Sequence, residues 1–240
     1  MDITFYIMLR NILFSSIFFL GIIIISILFL PTLIFPSSFV LVGGKLMGYW
    51  TEICLKTILS VEIEVLGKKN ISEDNKFFIA ASHQSMFETF YLQTIFNSPI
   101  FILKKELMLI PIFGWYLKKI GCISINRNKI SKDNLGFFDD IKRIVENSDR
   151  PLIIFPQGTR VKPDERPPFK KGAARICEVL KISCQPVAVN SGFVWPKIGP
   201  KKSNKKITIS ILPLLDYDSD KDRFLKNLEN KIYSELNRIN

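Results

Sequence analysis

The longest feature of the hydrophobic pattern lies at the start of the chain, where no charged residue occurs between Arg10 and Lys45. Within it, Ile12–Leu30 is broken only by serine and glycine, and a helix of that length can cross a hydrocarbon core of roughly 30 Å. Pro31 ends this run, and the next apolar stretch, Thr32–Val42, is too short to span alone. The first run is also too long for the apolar core of a signal peptide. The pattern therefore predicts an N-terminal membrane anchor, either spanning the bilayer or half-buried in one leaflet.

Shorter apolar runs recur along the rest of the chain. Val61–Leu66 alternates apolar and acidic residues at period two, which is typical of a half-buried strand. Further runs have strand length and composition: Phe77–Ala81, Ile100–Leu103, Cys122–Ile125, Leu152–Phe155, Pro186–Val189 and Ile207–Leu212. Of these, Pro186–Val189 carries little chemistry of its own, and we predict that it belongs to the core.

Helical patterns lie between and after these runs. Phe138, Ile141 and Val145 share one face at helical spacing. A similar stripe closes the chain: Leu225, Leu228, Ile232, Leu236 and Ile239. Strands that alternate with helices predict an α/β fold, with a mostly parallel or mixed sheet flanked by helices and preceded by the hydrophobic helical segment. We therefore divide the chain into an anchor, residues 1–44, and a folded domain, residues 45–240.

The charge of the chain is concentrated after the anchor. The formal net charge is +11, and residues 1–44 contain one acid, Asp2, and one base, Arg10. A basic domain beside an apolar anchor favours the cytoplasmic side of a membrane and attraction to anionic headgroups. The alternative is an ordinary solvated face rich in lysine.

The four cysteines, Cys54, Cys122, Cys177 and Cys184, include no pair at two-residue spacing. The chain has a single histidine, so no cluster of metal ligands accompanies them. This pattern favours neither zinc nor a disulfide framework, and it agrees with a reducing cytoplasm.

That single histidine, His83, follows the predicted strand Phe77–Ala81 directly, at the end of a strand where α/β sheets bind ligands. Glu88 comes five positions later. On one continuous helix the two side chains could not touch, because five residues rotate the second by about 140°. They can touch if His83 lies in the turn before a helix and Glu88 projects back from its first turns. Such a pair would act as a general base, whereas the alternative is a helix cap beside a solvated charge.

Two arginines follow other predicted strands. Arg127 comes just after Cys122–Ile125, and Phe155–Arg160 has the sequence Phe-Pro-Gln-Gly-Thr-Arg. In the second segment, Gly158 permits a tight turn that exposes backbone amides to an anion. Arg160 adds a planar group suited to two phosphate oxygens.

Taken together, these segments resemble the glycerolipid acyltransferase family, which includes bacterial 1-acyl-sn-glycerol-3-phosphate acyltransferases. The family's first motif, a histidine and an acid separated by four residues, is matched by His83 and Glu88. Its second motif is matched by Gly121–Arg127, and its third, Phe-Pro-Glu-Gly-Thr-Arg, by Phe155–Arg160. The resemblance extends from about Lys45 onward and includes two further segments, Phe113–Leu117 and Pro186–Trp195. Glu88 stands where aspartate is common, and Gln157 where glutamate is common.

The resemblance implies that the domain 45–240 is an acyltransferase catalytic domain. Its reaction would transfer an acyl group from an acyl-CoA or acyl carrier protein thioester to the sn-2 hydroxyl of lysophosphatidic acid, giving phosphatidic acid for phospholipid synthesis. His83 would be the base and Glu88 its partner. The residues that bind the substrate phosphate would be Arg127, Gly158, Thr159 and Arg160. No metal or other cofactor is implied.

The resemblance also implies partners and a location. The partners would be lysophosphatidic acid, the thioester donor and membrane lipids, with no nucleic acid. The location would be the bacterial inner membrane, with the catalytic domain on its cytoplasmic side. One alternative acceptor is a lyso-ornithine lipid or glycerol 3-phosphate. A remote alternative, based only on positive charge and aromatic content, is a membrane-tethered nucleic-acid-binding protein.

Overall fold

The computed structural model of the protein describes residues 3–73, 77–125 and 136–240. Its helices within these residues are α1 (Ile3–Leu28), α2 (Ser37–Leu59), α3 (Phe87–Ile95), α4 (Phe113–Lys119), α5 (Phe137–Glu146), α6 (Gly172–Leu180) and α7 (Lys221–Ile239). Its strands are β1 (Glu62–Leu66), β2 (Phe77–Ala81), β3 (Ile100–Lys104), β4 (Ile123–Ile125), β5 (Leu152–Ile154), β6 (Ser183–Val189) and β7 (Lys206–Ile211).

In the described part of the chain, the strands form one seven-stranded sheet in the order β1-β7-β6-β2-β5-β3-β4. The five neighbours from β6 to β4 are mutually parallel. Strand β7 is antiparallel to β6, and β1 is parallel to β7. The carboxyl ends of β6, β2 and β5 therefore meet at one edge of the sheet, which we call the carboxyl edge. The predicted α/β fold with a mostly parallel or mixed sheet is confirmed.

Helices cover both faces of the sheet. In β2, Phe77, Ile79 and Ala81 pack into the layer formed with α1, α2 and α3, whereas Phe78 and Ala80 pack into the layer formed with α5, α6 and α7. All five residues are buried, and each large apolar side chain contributes about 1.5–3 kcal/mol on full burial. The two cores therefore hold β2, and the residues that follow it, at the centre of the molecule.

Two strand boundaries differ from the sequence prediction in an informative way. β5 ends at Ile154, one residue earlier than predicted, and Phe155 begins the loop that follows. β6 begins at Ser183, three residues earlier than predicted. The first residues of β6 include polar side chains, so the apolar run in the sequence is shorter than the strand. One of them, Gln185, is fully buried, and its amide donates to the carbonyl of Leu212.

The predicted apolar run forms most of α1. Phe5–Leu28 is long and apolar enough to cross a membrane, with a mean hydropathy of 2.5, and most of it is not buried against the rest of the protein. By length and composition, this helix is compatible with membrane association.

Helix α1 lies along the folded domain and contacts it at several points. Near its start, Arg10 donates from Nε and Nη2 to the carbonyl of Ile58 at 2.9 and 2.5 Å. In its middle, Phe18 is fully buried, with its ring 5.1 Å from that of Trp195. Near its end, the carbonyl of Ser26 accepts the Tyr116 hydroxyl at 2.6 Å.

Helix α2 continues across the predicted division between residues 44 and 45. Its second half, through Cys54, Leu55 and Leu59, belongs to the same core as β2. The division into an anchor and a catalytic domain stays a prediction.

Candidate active site

Three segments meet at the carboxyl edge, because β2 lies between β6 and β5 in the sheet. They are His83–Ser85 after β2, Phe155–Arg160 after β5 and Asn190–Trp195 after β6. Hydrogen bonds join the first segment to each of the others. This edge is where open α/β sheets place their ligands.

His83 lies in the turn before α3, and Glu88 is the second residue of that helix. The Nδ1 atom of His83 is 3.3 Å from Oε2 of Glu88. The His83 side chain is 15% exposed, whereas that of Glu88 is completely buried. Five positions apart in the sequence, His83 and Glu88 can touch only in this way, with the histidine before the helix and the glutamate in its first turn. The contact uses Nδ1 of His83 and leaves the other ring nitrogen, Nε2, for another partner.

The buried carboxylate of Glu88 has several donors. Its Oε1 accepts from the backbone N–H of Gln84 at 3.2 Å and from the Ser191 hydroxyl. Its Oε2 accepts from the backbone N–H of Ser85 at 3.0 Å. These bonds, together with the amino end of α3, compensate for the loss of hydration of a buried charge. Glu88 is therefore held in a single orientation towards His83.

The backbone and ring of His83 are fixed by the loop after β5. Its N–H donates to Oε1 of Gln157 at 2.7 Å, and its carbonyl accepts from the N–H of Val161 at 2.9 Å. Its ring stacks on Phe155, with the centroids 4.0 Å apart and the planes 17° from parallel. Gln157 is 2% exposed, so it serves as a buried acceptor at the position where the family motif has glutamate.

The segment Gly158–Arg160 forms the turn beyond Gln157. Gly158 has a φ of +74°, which a residue with a side chain adopts only with strain, and its N–H donates to the carbonyl of Phe155 at 2.9 Å. Thr159 is exposed, and its Oγ1 lies 3.5 Å from Nζ of Lys197. Arg160 is partly exposed. Arg127 lies outside the described residues.

Sequence reasoning gave no role at this site to three residues: Ser191, Phe155 and Lys197. Ser191 follows β6 at the carboxyl edge, and its position after a buried strand was the available signal. Phe155 looked like the last residue of a strand, and nothing in the sequence indicated its stacking on His83. Lys197 looked like one of many loop lysines.

The cysteines do not provide an alternative nucleophile in this structure. All four are buried and unpaired, and loss of hydration on burial raises the pKa of Cys122 and that of Cys177 to about 11. A thiol with such a pKa is almost entirely protonated near neutral pH.

The sequence of the chain is similar to a family model and to several known enzymes. A family model described as Acyltransferase matches residues 62–190. The 1-acyl-sn-glycerol-3-phosphate acyltransferase of Pseudomonas aeruginosa is 30% identical over 182 residues, which cover 73% of this chain and 68% of that protein. The enzyme of the same name from Saccharomyces cerevisiae is 28% identical over 215 residues, covering 83% of this chain and 69% of that protein.

A solved structure has the same fold. It is the crystal structure of the 1-acyl-sn-glycerophosphate (LPA) acyltransferase PlsC from Thermotoga maritima, with a TM-score of 0.80 and 21% sequence identity. The match covers 97% of each chain.

Proposed function

Because the chain belongs to the Acyltransferase family, we propose that it transfers an acyl group from a thioester to the sn-2 hydroxyl of lysophosphatidic acid, forming phosphatidic acid. The observation that carries this proposal is the contact between His83 and the buried Glu88 at the carboxyl edge. The names of the relatives from Pseudomonas aeruginosa and Saccharomyces cerevisiae support the choice of acceptor.

In the proposed mechanism, His83 is the general base. With its Nδ1 proton directed to Glu88, its Nε2 takes the proton of the acceptor hydroxyl while the hydroxyl oxygen attacks the thioester carbonyl carbon. The tetrahedral intermediate then collapses, the carbon–sulfur bond breaks, and the imidazolium returns the proton to the departing thiolate. Glu88 stabilises the imidazolium between these two steps. The acyl group passes directly from donor to acceptor, so no covalent enzyme intermediate is needed.

The acceptor phosphate is proposed to bind at the turn after β5. Gly158 and Thr159 line that turn, and Arg160 offers a bidentate guanidinium. Lys197 adds a second positive charge, since its Nζ is 3.5 Å from Thr159. Arg127, from the family's second motif, completes the proposed set of phosphate-binding residues.

The contacts of α1 support a half-buried membrane anchor rather than a spanning one. A helix that contacts the folded domain near its start, middle and end cannot leave that domain to cross a bilayer. Its other side exposes a row of large apolar side chains: Leu13, Leu20, Ile23, Ile24 and Ile27. We therefore propose that α1 lies in one leaflet. We place the protein on the cytoplasmic face of a bacterial inner membrane, where its net charge of +11 favours anionic lipids.

The function can be tested with the purified full-length protein and defined substrates. Acyl-CoA and acyl carrier protein thioesters would each be offered with lysophosphatidic acid, glycerol 3-phosphate or a lyso-ornithine lipid, and the products identified by mass. We expect phosphatidic acid as the main product with at least one donor. Acylation of one of the other acceptors in preference to lysophosphatidic acid would contradict the assignment.

A further inference from the structure

Ser191 connects the segment after β6 to the proposed catalytic pair. It lies in the 3-10 turn Ser191–Phe193, 103 positions along the chain from Glu88. Its hydroxyl donates to Oε1 of Glu88, and both side chains are fully buried. A buried hydroxyl that donates to a carboxylate forms one of the stronger hydrogen bonds in proteins.

This bond divides the partners of Glu88 between its two oxygens. Oε1 accepts from Ser191 and from the N–H of Gln84, whereas Oε2 faces Nδ1 of His83. The N–H of Ser85 is shared between them, 3.0 Å from Oε2 and 3.3 Å from Oε1. The last torsion of a glutamate side chain is intrinsically broad. With Ser191 bound to one oxygen, the carboxylate cannot turn out of this plane without losing a buried hydrogen bond, so its other oxygen stays directed at His83.

The turn that carries Ser191 is itself fixed. The N–H of Gly192 donates to Oε1 of Gln84 at 3.0 Å, and a Cβ at this glycine would lie 2.9 Å from that of Gln84. The N–H of Trp195 donates to the carbonyl of Ser191 at 2.8 Å. Trp195 packs edge-on against Phe14 and Phe18 of α1, with ring centroids 5.2 and 5.1 Å away.

We propose that Ser191 is a positioning residue for acyl transfer, one that orients the Glu88 carboxylate and through it the His83 ring. Ser191 acts through Glu88 and does not touch either substrate. The role rests on the proposed function, since it presupposes that His83 is the base.

Other ionisable groups lie on the elements around Glu88. They include Tyr91 on α3 itself, Glu52 on α2, His83 before α3, Arg160 after β5 and Lys197 after β6. The test below leaves all of them in place, so a change in pH dependence would come from the hydrogen bond of Ser191.

The test compares Ser191→Ala with Ser82→Ala in the full-length protein. Ser82 is a matched control because it is also a fully buried serine, and the bonds of its hydroxyl within the described residues go to the backbone of Val189, at 2.7 and 3.2 Å. The pH dependence of kcat/KM would be measured with lysophosphatidic acid and the preferred thioester. The acid limb of this profile, the fall in kcat/KM at low pH, reports protonation of the proposed base, His83. A carboxylate that has lost a hydrogen-bond donor attracts the imidazolium more strongly, so for Ser191→Ala we expect the acid limb to move to higher pH and kcat/KM to fall about tenfold.

For Ser82→Ala we expect the acid limb to stay in its wild-type position, whatever the effect on stability. Ser191→Thr keeps the donor and should restore the wild-type acid limb. Ser191→Cys is nearly isosteric but a weak donor, so it should shift the limb as alanine does, and it replaces the alanine variant if that fails to fold.

Two results would overturn the inference, and they differ from each other. If Ser191→Ala or Ser191→Cys kept the acid limb of wild type, Ser191 would be a structural residue only. If the wild-type protein did not acylate lysophosphatidic acid with either donor, the proposed function would fail, and the role of Ser191 with it.

Discussion

Replacing Glu88 by glutamine removes the charge of the proposed pair while keeping nearly the same shape. In the wild-type protein, Oε2 faces Nδ1 of His83 at 3.3 Å and accepts from the N–H of Ser85 at 3.0 Å. An amide nitrogen at that position would face the N–H of Ser85, which is itself a donor. An amide oxygen there would put the nitrogen opposite the N–H of Gln84, which donates to Oε1 at 3.2 Å in the wild-type protein. One buried group therefore loses its partner in either orientation.

The size of the effect follows from these contacts. A hydrogen bond to a charged group contributes about 1.5–3 kcal/mol, so loss of the charge facing His83 should lower kcat/KM by about tenfold to somewhat over a hundredfold. Glu88→Asp should lose less. It keeps a carboxylate for the imidazolium, although its side chain is one methylene shorter.

The assay measures kcat/KM for acyl transfer to lysophosphatidic acid, with thermal unfolding of each variant as a check on folding. We expect the order wild type, Glu88→Asp, Glu88→Gln from most to least active. Equal activity of the aspartate and glutamine variants would refute the pairing of His83 with a charged Glu88.

Three further predictions concern the surroundings of this pair. Arg160→Ala should lower kcat/KM for the acceptor by about tenfold to a hundredfold, and Arg160→Lys should lower it less, because lysine keeps the charge without the planar guanidinium. A variant that bound the thioester donor less tightly but kept normal kcat/KM for the acceptor would contradict the phosphate role. Gln157→Ala should lower the free energy of unfolding by about 1–3 kcal/mol, because it removes a buried side chain that accepts from the N–H of His83; Gln157→Glu keeps an acceptor and should be less destabilised in urea titrations. Aspartate at both Leu20 and Ile23, which lie on the exposed side of α1, should weaken binding to vesicles without disturbing the packed side of the helix, and the wild-type protein should resist carbonate extraction; release at high pH would contradict the anchor.

Much of the fold was predictable because its signals are local. The strands around His83 are short apolar runs, and the order of strands and helices implies parallel neighbours. The contact between His83 and Glu88 was also predictable, since a five-residue spacing permits it only across the start of a helix. Both inferences need residues that are close in sequence.

The remaining features depend on contacts between residues distant in sequence. Ser191 and Glu88 are 103 positions apart, and no periodicity indicates that their segments meet. The reversed direction of β7 follows a loop that is tied to α1, where Asn11 and Lys201 exchange hydrogen bonds of 2.6 and 3.0 Å. Nothing in the predicted anchor suggested that it would pack along the folded domain.

The central claim is that His83 is the base for acylation of lysophosphatidic acid, and the most direct test is a comparison of His83→Ala with wild type. Both proteins would receive lysophosphatidic acid in vesicles with the preferred thioester, and phosphatidic acid would be quantified by mass, with circular dichroism to verify folding. General bases contribute about 10² to 10⁴ in rate, so a folded His83→Ala protein should retain no more than about a hundredth of wild-type activity. A folded variant that retained substantially more would show that another group removes the proton.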